Sequence, residues 1–204
     1  MEIIYERFKS AEADELVGLL SGDTWPFHGS YVVDGAEVRQ WIEEGRYDDQ
    51  DNRTFWIVVA GARTGLVRLM DLCDDTPMFD LRIRSEHRGR GLGGQALTWL
   101  TRYVFTEFPK VHRIEGTTRQ DNVAMRRAFR RCGYAKEAHY RDAWPAADGE
   151  VRDAVGYAIL RRDWRSGRTT VPDWNDELTP RPHRGESVPA RAAGRTSANG
   201  RCPS

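Results

Sequence analysis

Two hydrophobic periods alternate along this chain, and their order sketches the fold. Glu2–Phe8 alternates apolar and polar positions, which predicts an edge strand. In Ala11–Leu20 the residues Leu16, Val17, Leu19 and Leu20 recur at helical spacing, and Gly22 follows as a stop. A second helix is expected from an Asp34 cap to about Glu44, with Val38, Trp41 and Ile42 on one face and Gly45 at its end. Thr54–Ala60 is apolar and β-branched and reads as a strand, Gly61–Gly65 as a turn, Leu66–Leu72 as the next strand, Cys73–Pro77 as another turn and Met78–Arg84 as a further strand. A long helix follows from Gly91 to about Phe108. Leu92, Ala96, Leu100, Tyr103 and Val104 form its apolar stripe, and Pro109 ends it. His112–Thr118 predicts a strand and Asn122–Arg131 a helix closed by Gly133. The last strands, Tyr134–Tyr140 and Arg152–Leu160, are joined by a loop holding Pro145 and Gly149. This order predicts an α/β fold: one mixed, mostly antiparallel sheet with helices on both faces.

The periodicity stops near Trp164. Ser166–Ser204 holds five of the nine prolines and is rich in Gly, Arg, Ser and Thr. One domain is therefore expected over residues 1–164, with a Pro/Gly/Arg-rich tail over 165–204 that is largely disordered from about residue 178. Val171 and Trp174 are candidates to dock the start of that tail. Lys+Arg and Asp+Glu both total 31, so the net charge is zero, which argues against nucleic acid as the main partner. Cys73, Cys132 and Cys202 are widely spaced with no Cys-x-x-Cys, against a disulfide framework or zinc site. The N-terminus has no basic stretch leading into an apolar run, and no apolar run approaches the roughly 18 residues of a membrane span. The expectation is a cytoplasmic protein, monomer or homodimer, with no nucleic-acid, membrane or metal partner.

Chemistry concentrates at Arg88–Gly94, where four of the six residues from Gly89 onward are glycine. Glycine has an entropic cost, so such a cluster points to unusual backbone angles or to close approach of a ligand. Gly89, Gly91 and Gly94 fit G-x-G-x-x-G, and Glu115 lies near the distance expected of a ribose-binding acid. Two features oppose a dinucleotide site. The approach segment Leu81–Arg88 is strongly charged, whereas the first strand of such a fold is buried, and too little chain follows the loop. A P-loop is excluded because no Gly-Lys-Ser/Thr is present. Beside a plain flexible turn, a pyrophosphate cradle is the further reading: small residues let successive N–H groups turn inward at a helix N-terminus, and Arg84, Arg88 and Arg90 either add positive charge there or are solvated surface charges.

The run Arg88-Gly89-Arg90-Gly91-Leu92-Gly93 is similar to the signature of the GCN5-related N-acetyltransferases (GNAT), which is Gln or Arg, two residues, Gly, one residue, then Gly or Ala. A second block, Asn122 to Gly133-Tyr134, resembles the family's other helix, which begins at Asn and ends in Gly-Phe/Tyr. Arg127, His112-Arg113-Ile114 and the closing run Gly156–Trp164 resemble the branch that acetylates ribosomal-protein N-termini. The resemblance spans roughly residues 2–164. It implies transfer of an acetyl group from acetyl-CoA to a primary amine, either a protein N-terminus or a small amine.

The resemblance also implies roles. The strand before the loop splays from its neighbour, so the backbone of Leu81, Arg82 and Ile83 holds the pantetheine and acetyl groups, with an N–H near Ile83 as oxyanion donor. Arg88, Gly89, Arg90, Gly91, Leu92, Gly93 and Gly94 hold the pyrophosphate, and Asn122 and Arg127 also meet the cofactor. Many relatives place a Tyr seven residues after the helix Asn, or a Ser three after it, to supply a proton. Here those positions are Phe129 and Met125, which cannot. That loss keeps open the alternative of a non-catalytic coenzyme A-binding module. The candidate bases are Glu115, which shares a strand face with Thr117, and His28, set among aromatic residues. Each has a structural alternative, an ion pair for Glu115 and aromatic packing for His28. Trp25, Phe27, Asp71, Asp80 and Trp144 are the candidate acceptor contacts.

Overall fold

The computed structural model describes residues 2–174. A seven-stranded sheet organises them. Its strands are β1 (Ile3–Arg7), β2 (Arg53–Val59), β3 (Ala62–Met70), β4 (Met78–Ile83), β5 (Arg113–Arg119), β6 (Ala135–Pro145) and β7 (Val151–Leu160), in the order β1-β2-β3-β4-β5-β7-β6. Every neighbouring pair is antiparallel except β4 with β5. The predicted α/β class, with a mixed and mostly antiparallel sheet, is what forms.

Alternation along β2 and β3 builds two cores from one sheet. Phe55, Ile57, Val67 and Leu69 point to one face, where they meet Leu97, Leu100 and Val104 of α3 (Leu92–Glu107) and Phe129 of α4 (Val123–Arg131). Trp56, Val58 and Leu66 point to the other. There they meet Leu16, Leu19 and Leu20 of α1 (Ala13–Ser21), Val38 of α2 (Gly35–Glu43), and Trp25 and Tyr47 from the connections. Helix ends follow local chemistry. Asp34 accepts hydrogen bonds from the N–H groups of Ala36 and Glu37, and Asn122 accepts one from Met125 N–H. The carbonyls left open near the end of α3 are taken by Arg161, which donates to Phe105 O, Phe108 O and Val111 O at 2.5–2.6 Å.

Several elements depart from the sequence expectation. The turn placed at Gly61–Gly65 is confined to Ala60 and Gly61, whose φ values of 50° and 78° make a two-residue hairpin connection. Gly65 lies inside β3 instead, opposite Ile83. It is small because β4 passes close: a Cβ there would lie 2.2 Å from the Arg82 carbonyl oxygen. β6 runs five residues past Tyr140, through a register irregularity at Asp142 (φ 51°), which puts Trp144 in the strand opposite Arg152 rather than before it. The compact unit extends to Pro172, beyond Trp164, through α5 (Arg161–Ser166). Val171 does not dock, being 76% exposed. The threonines before it do. Thr169 donates to Gly133 O, and Thr170 donates through both N–H and hydroxyl to the buried Asp163 carboxylate. Trp174 lies beyond that unit, and the expected disorder of the tail and Cys202 fall outside the described residues. Among the described residues no helix is long and apolar enough to cross a membrane.

Gly116 on β5 is a second close approach. A Cβ there would sit 2.8 Å from Phe79 Cζ and 2.9 Å from Phe129 Cζ. Gly65→Ala and Gly116→Ala are each expected to lose about 1–3 kcal/mol in urea denaturation. Gly65→Ala should be the worse, because its obstacle is backbone whereas rings can tilt. Equal wild-type stability for both would show that these glycines are not sterically required.

Candidate active site

β4 and β5 form a fork. Their parallel pairing holds at one registered pair, Met78 with Glu115, supported by Glu115 N–H donating to Pro77 O at 3.2 Å. On its other side β4 stays paired with β3 from Met78 to Ile83. Backbone groups of successive strand residues point alternately to opposite neighbours, so Phe79, Leu81 and Ile83 direct N–H and C=O into the opening. Two of those carbonyls are occupied: Leu81 O by His28 Nε2 at 3.3 Å and Ile83 O by Arg88 Nε at 2.8 Å. The N–H groups of Leu81 and Ile83 remain as donors facing the fork.

The glycine run lies between the fork and α3. Gly89 and Gly91 take φ of 76° and 81°, angles that need glycine. Gly93 and Gly94 have ordinary φ and no neighbour within 4 Å of where a Cβ would stand, so neither backbone strain nor packing in the protein requires them to be glycine. The first bond closing the helix is Gln95 N–H to Gly91 O at 3.2 Å, which leaves the N–H groups before it available to an anion. The first turn of α3 carries no acidic side chain. Leu92 is buried and anchors that turn, while Arg90 is exposed. Arg88 turns away from the loop: besides Ile83 O it donates to Thr24 O at 2.6 Å and lies 5.4 Å from the Trp25 ring centroid. Its guanidinium braces the fork instead of extending to solvent as a phosphate ligand would. Asn122 caps α4 and also donates from Nδ2 to Thr118 Oγ1 at 3.0 Å. Arg127 is exposed on α4. Phe129 is buried and stacked on Tyr157, with centroids 4.6 Å apart and planes at 3°.

The opposite face of β4 carries the charged cluster. Asp80 and Arg82 point there, bonded to each other at 2.8 Å. The connection between α1 and α2 covers them: Arg82 lies 5.2 Å from the Trp25 centroid, and His28 Nε2 lies 3.1 Å from Asp80 Oδ1. Both partners of His28 Nε2, the Asp80 carboxylate and Leu81 O, are acceptors, so Nε2 carries a proton. In the neutral ring the lone pair is therefore at Nδ1, which is buried and has no partner within the protein. Burial alone would raise the pKa of Asp80. The His28 hydrogen bond and the Arg82 charge outweigh it and hold the carboxyl well below the usual carboxylate range.

The other candidates divide. Phe27 lies beneath Arg119, 4.8 Å from its Cζ, and Arg119 is held by Asp121. Glu115 is bound to Arg113 at 2.8 Å, and Arg113 also pairs with Glu137, so the carboxylate is engaged in the ion pair that was its structural alternative. Asp71 is not brought to the cluster. It sits past the last β3–β4 pair, at φ 57°, and its carbonyl accepts from Asp74 N–H. Trp144 stands on β6 opposite Arg152, with no contact to His28, Asp80 or Trp25. Three participants escape sequence reasoning. Asp23 accepts from Ser85 N–H and Thr24 N–H, both at 2.6 Å, and ties the His28 segment to the approach of the glycine loop. Arg68 and Tyr47 pack together beside Asp80. The one available signal was a charge inside the apolar run Leu66-Val67-Arg68-Leu69. Among the described residues no group of His, Cys, Asp or Glu is placed to hold a metal ion.

A carboxyl whose native pKa is depressed contributes stability that is complete above its unfolded value and is lost as pH falls through the native one. The stability gap between wild type and Asp80→Asn should thus be full above about pH 5 and narrow below about pH 4. Urea titrations across that range measure it, and a gap that does not depend on pH would mean the carboxylate charge is not what Asp80 contributes.

The model of a family described as acetyltransferase (GNAT) domain matches residues 2–135. No curated protein matches the chain. Among solved structures the fold is similar to a chimera of the spermidine N-acetyltransferase SpeG from Vibrio cholerae and hSSAT, at TM-score 0.70 and 18% identity over 81% of this chain and 99% of that one. It is similar to a probable acetyltransferase, at TM-score 0.65 and 20% identity over 79% and 94% of the two chains. It is also similar to RimL, a ribosomal-protein alpha-N acetyltransferase in complex with coenzyme A, at TM-score 0.68 and 16% identity over 78% and 93%. The family match covers well over half of the sequence and agrees with the forked sheet and the open helix N-terminus, and the chain belongs to the GNAT acetyltransferases.

Proposed function

We propose that this acetyltransferase moves the acetyl group of acetyl-CoA to a primary amine by direct attack, with His28 as general base and Asp80 as its positioning residue. The observation that carries this reading is the His28 geometry. Nε2–H is held by a carboxylate and by a backbone carbonyl of β4, which leaves the Nδ1 lone pair as the site that accepts a proton. An amine must be neutral to attack, and the two bonds at Nε2 fix the tautomer of the ring that would take its proton. The same carbonyl ties the base to the strand whose N–H groups face the fork, so base and electrophile site share one rigid element. Such an oriented base supports catalysis over a module that only binds coenzyme A.

The residues also fit the cofactor. The N–H groups from Gly89 to Gly94, at a helix N-terminus without acidic neighbours, suit a pyrophosphate. Arg90 and Arg127, both exposed, can add charge. The N–H groups of Leu81 and Ile83 suit the carbonyl oxygens of the pantetheine arm and the acetyl group. When bound, acetyl-CoA supplies an already activated thioester. The chain's own tasks are then orientation, proton removal and donation of hydrogen bonds.

Two substitutions test the halves of this reading. Gly93→Glu places a carboxylate in the first turn of α3, which helix electrostatics favour by about 0.3–1 kcal/mol. Stability should hold or rise, while the Kd for coenzyme A in calorimetry rises about tenfold or more through repulsion of phosphate. Unchanged affinity would place the cofactor elsewhere. His28→Gln should lower kcat/KM by about 10²–10⁴-fold, with coenzyme A affinity kept. Glu115→Gln, which breaks a partly exposed ion pair, should cost no more than about fivefold. The reverse ranking in a thiol-release assay would transfer the base role to Glu115.

A further inference from the structure

The cluster around Asp80 does not satisfy its own hydrogen-bond donors. Arg68 stands opposite Asp80 in the β3–β4 register and Arg82 follows two residues on, so all three share the sheet face covered by Trp25 and Tyr47. The Arg82 side chain is 14% exposed. It gives Nε to Asp80, while its Nη1 is buried without an acceptor. Arg68 gives Nη2 to Asn52 Oδ1 at 3.1 Å and lies 5.0 Å from the Tyr47 centroid, and its Nε is likewise buried without an acceptor. Burial lowers the Arg68 pKa, yet a guanidinium starts so high that it stays charged. The two guanidiniums thus keep two buried donor nitrogens without acceptors, beside the buried, unpartnered Nδ1 of His28. Buried charge and buried donors are costly unless matched.

Resting on the acetyl-transfer reading above, we infer that the acceptor is a primary amine that also bears a carboxylate, with the carboxylate received by Arg82 and Arg68 while the amine meets His28. A carboxylate brings the acceptor oxygens that these donors lack with a single negative charge, whereas a phosphate dianion would put twice that charge next to Asp80. The cofactor's own phosphates do not answer the demand. Arg68 and Arg82 lie on the α1–α2 face, and the open N–H groups of α3 belong to the opposite face. A polyamine fits poorly, because it would bring further donors and positive charge to guanidiniums that lack acceptors. The carboxylate has two plausible sources, a free amino acid and a peptide with an acidic residue at its N-terminus.

A thiol-release assay with acetyl-CoA tests this. The acceptors are free amino acids, their carboxamides, short peptides with acidic or neutral first residues, and spermidine. Each carboxylate acceptor should exceed its carboxamide in kcat/KM by about tenfold to a hundredfold. Arg82→Gln and Arg68→Gln should each pull that ratio toward one. The ratio is insensitive to a general loss of activity, and the wild-type comparison stands even if one variant fails to fold. Preference for free amino acids or for acidic peptides identifies the source. Spermidine or carboxamides turned over as well as the acids, or ratios unmoved in both variants, would overturn the inference and leave acetyl transfer intact. Coenzyme A binding with no thiol release from any amine would remove the transfer reading itself.

Discussion

The site depends on one packing constraint at the base of the fork. β5 has no side chain at Gly116, immediately after the pair that joins it to β4, and the rings of Phe79 and Phe129 occupy that space. The aromatic group continues through Tyr134 and Tyr157, all in the larger core. Past this point the two strands are unpaired. Sheet backbone normally satisfies its own hydrogen bonds. Here one edge of β4 inside the sheet keeps donors for something else. Phe129 thus serves as a packing residue at the position where the family resemblance implied a proton donor, and the absence of a hydroxyl is consistent with its burial.

From the fork, β4 works in two directions. Residues 79, 81 and 83 address the opening and the α3 side, while Asp80 and Arg82 address the α1–α2 side. The His28 contact joins the two, because one ring nitrogen meets both the Asp80 carboxylate and the Leu81 carbonyl. Arg88 and Asp23 stitch the same regions together, binding the segment after α1 to the end of β4 and to Ser85. Residues far apart in sequence are held together by charge-assisted bonds, the kind of restraint that positioning chemistry requires.

Much of this was legible in the sequence. Strand and helix order followed from periodicity, because burial on one face imposes period 2 or 3.6 wherever a core exists. The glycine run was legible because φ near 80° and unobstructed approach leave few alternatives to glycine. Gly65 was misplaced as a turn residue, since the same smallness also serves close strand contact, and composition does not separate the two uses. Asp71 and Asp80 look alike in sequence, both acids near one hairpin. Only the register separates them, placing Asp80 inside β4 and Asp71 beyond its partner. Glu115 was the first candidate for the base and His28 the other, and the sequence could not decide between them: which of them is engaged depends on Arg113 and Glu137 in one case and on Asp80 and Leu81 in the other.

The sequence by itself determined the sheet-and-helix pattern, the glycine-rich loop and its family, because those features are written in local spacing. Tertiary structure alone decided the fork, the tautomer of His28, the contacts of Arg88 with Ile83 and Thr24, and the unmet donors of Arg68 and Arg82. Each of these is a property of residues brought together from distant segments. Hydrogen-bond pairing and charge balance exist only once the partners are in place.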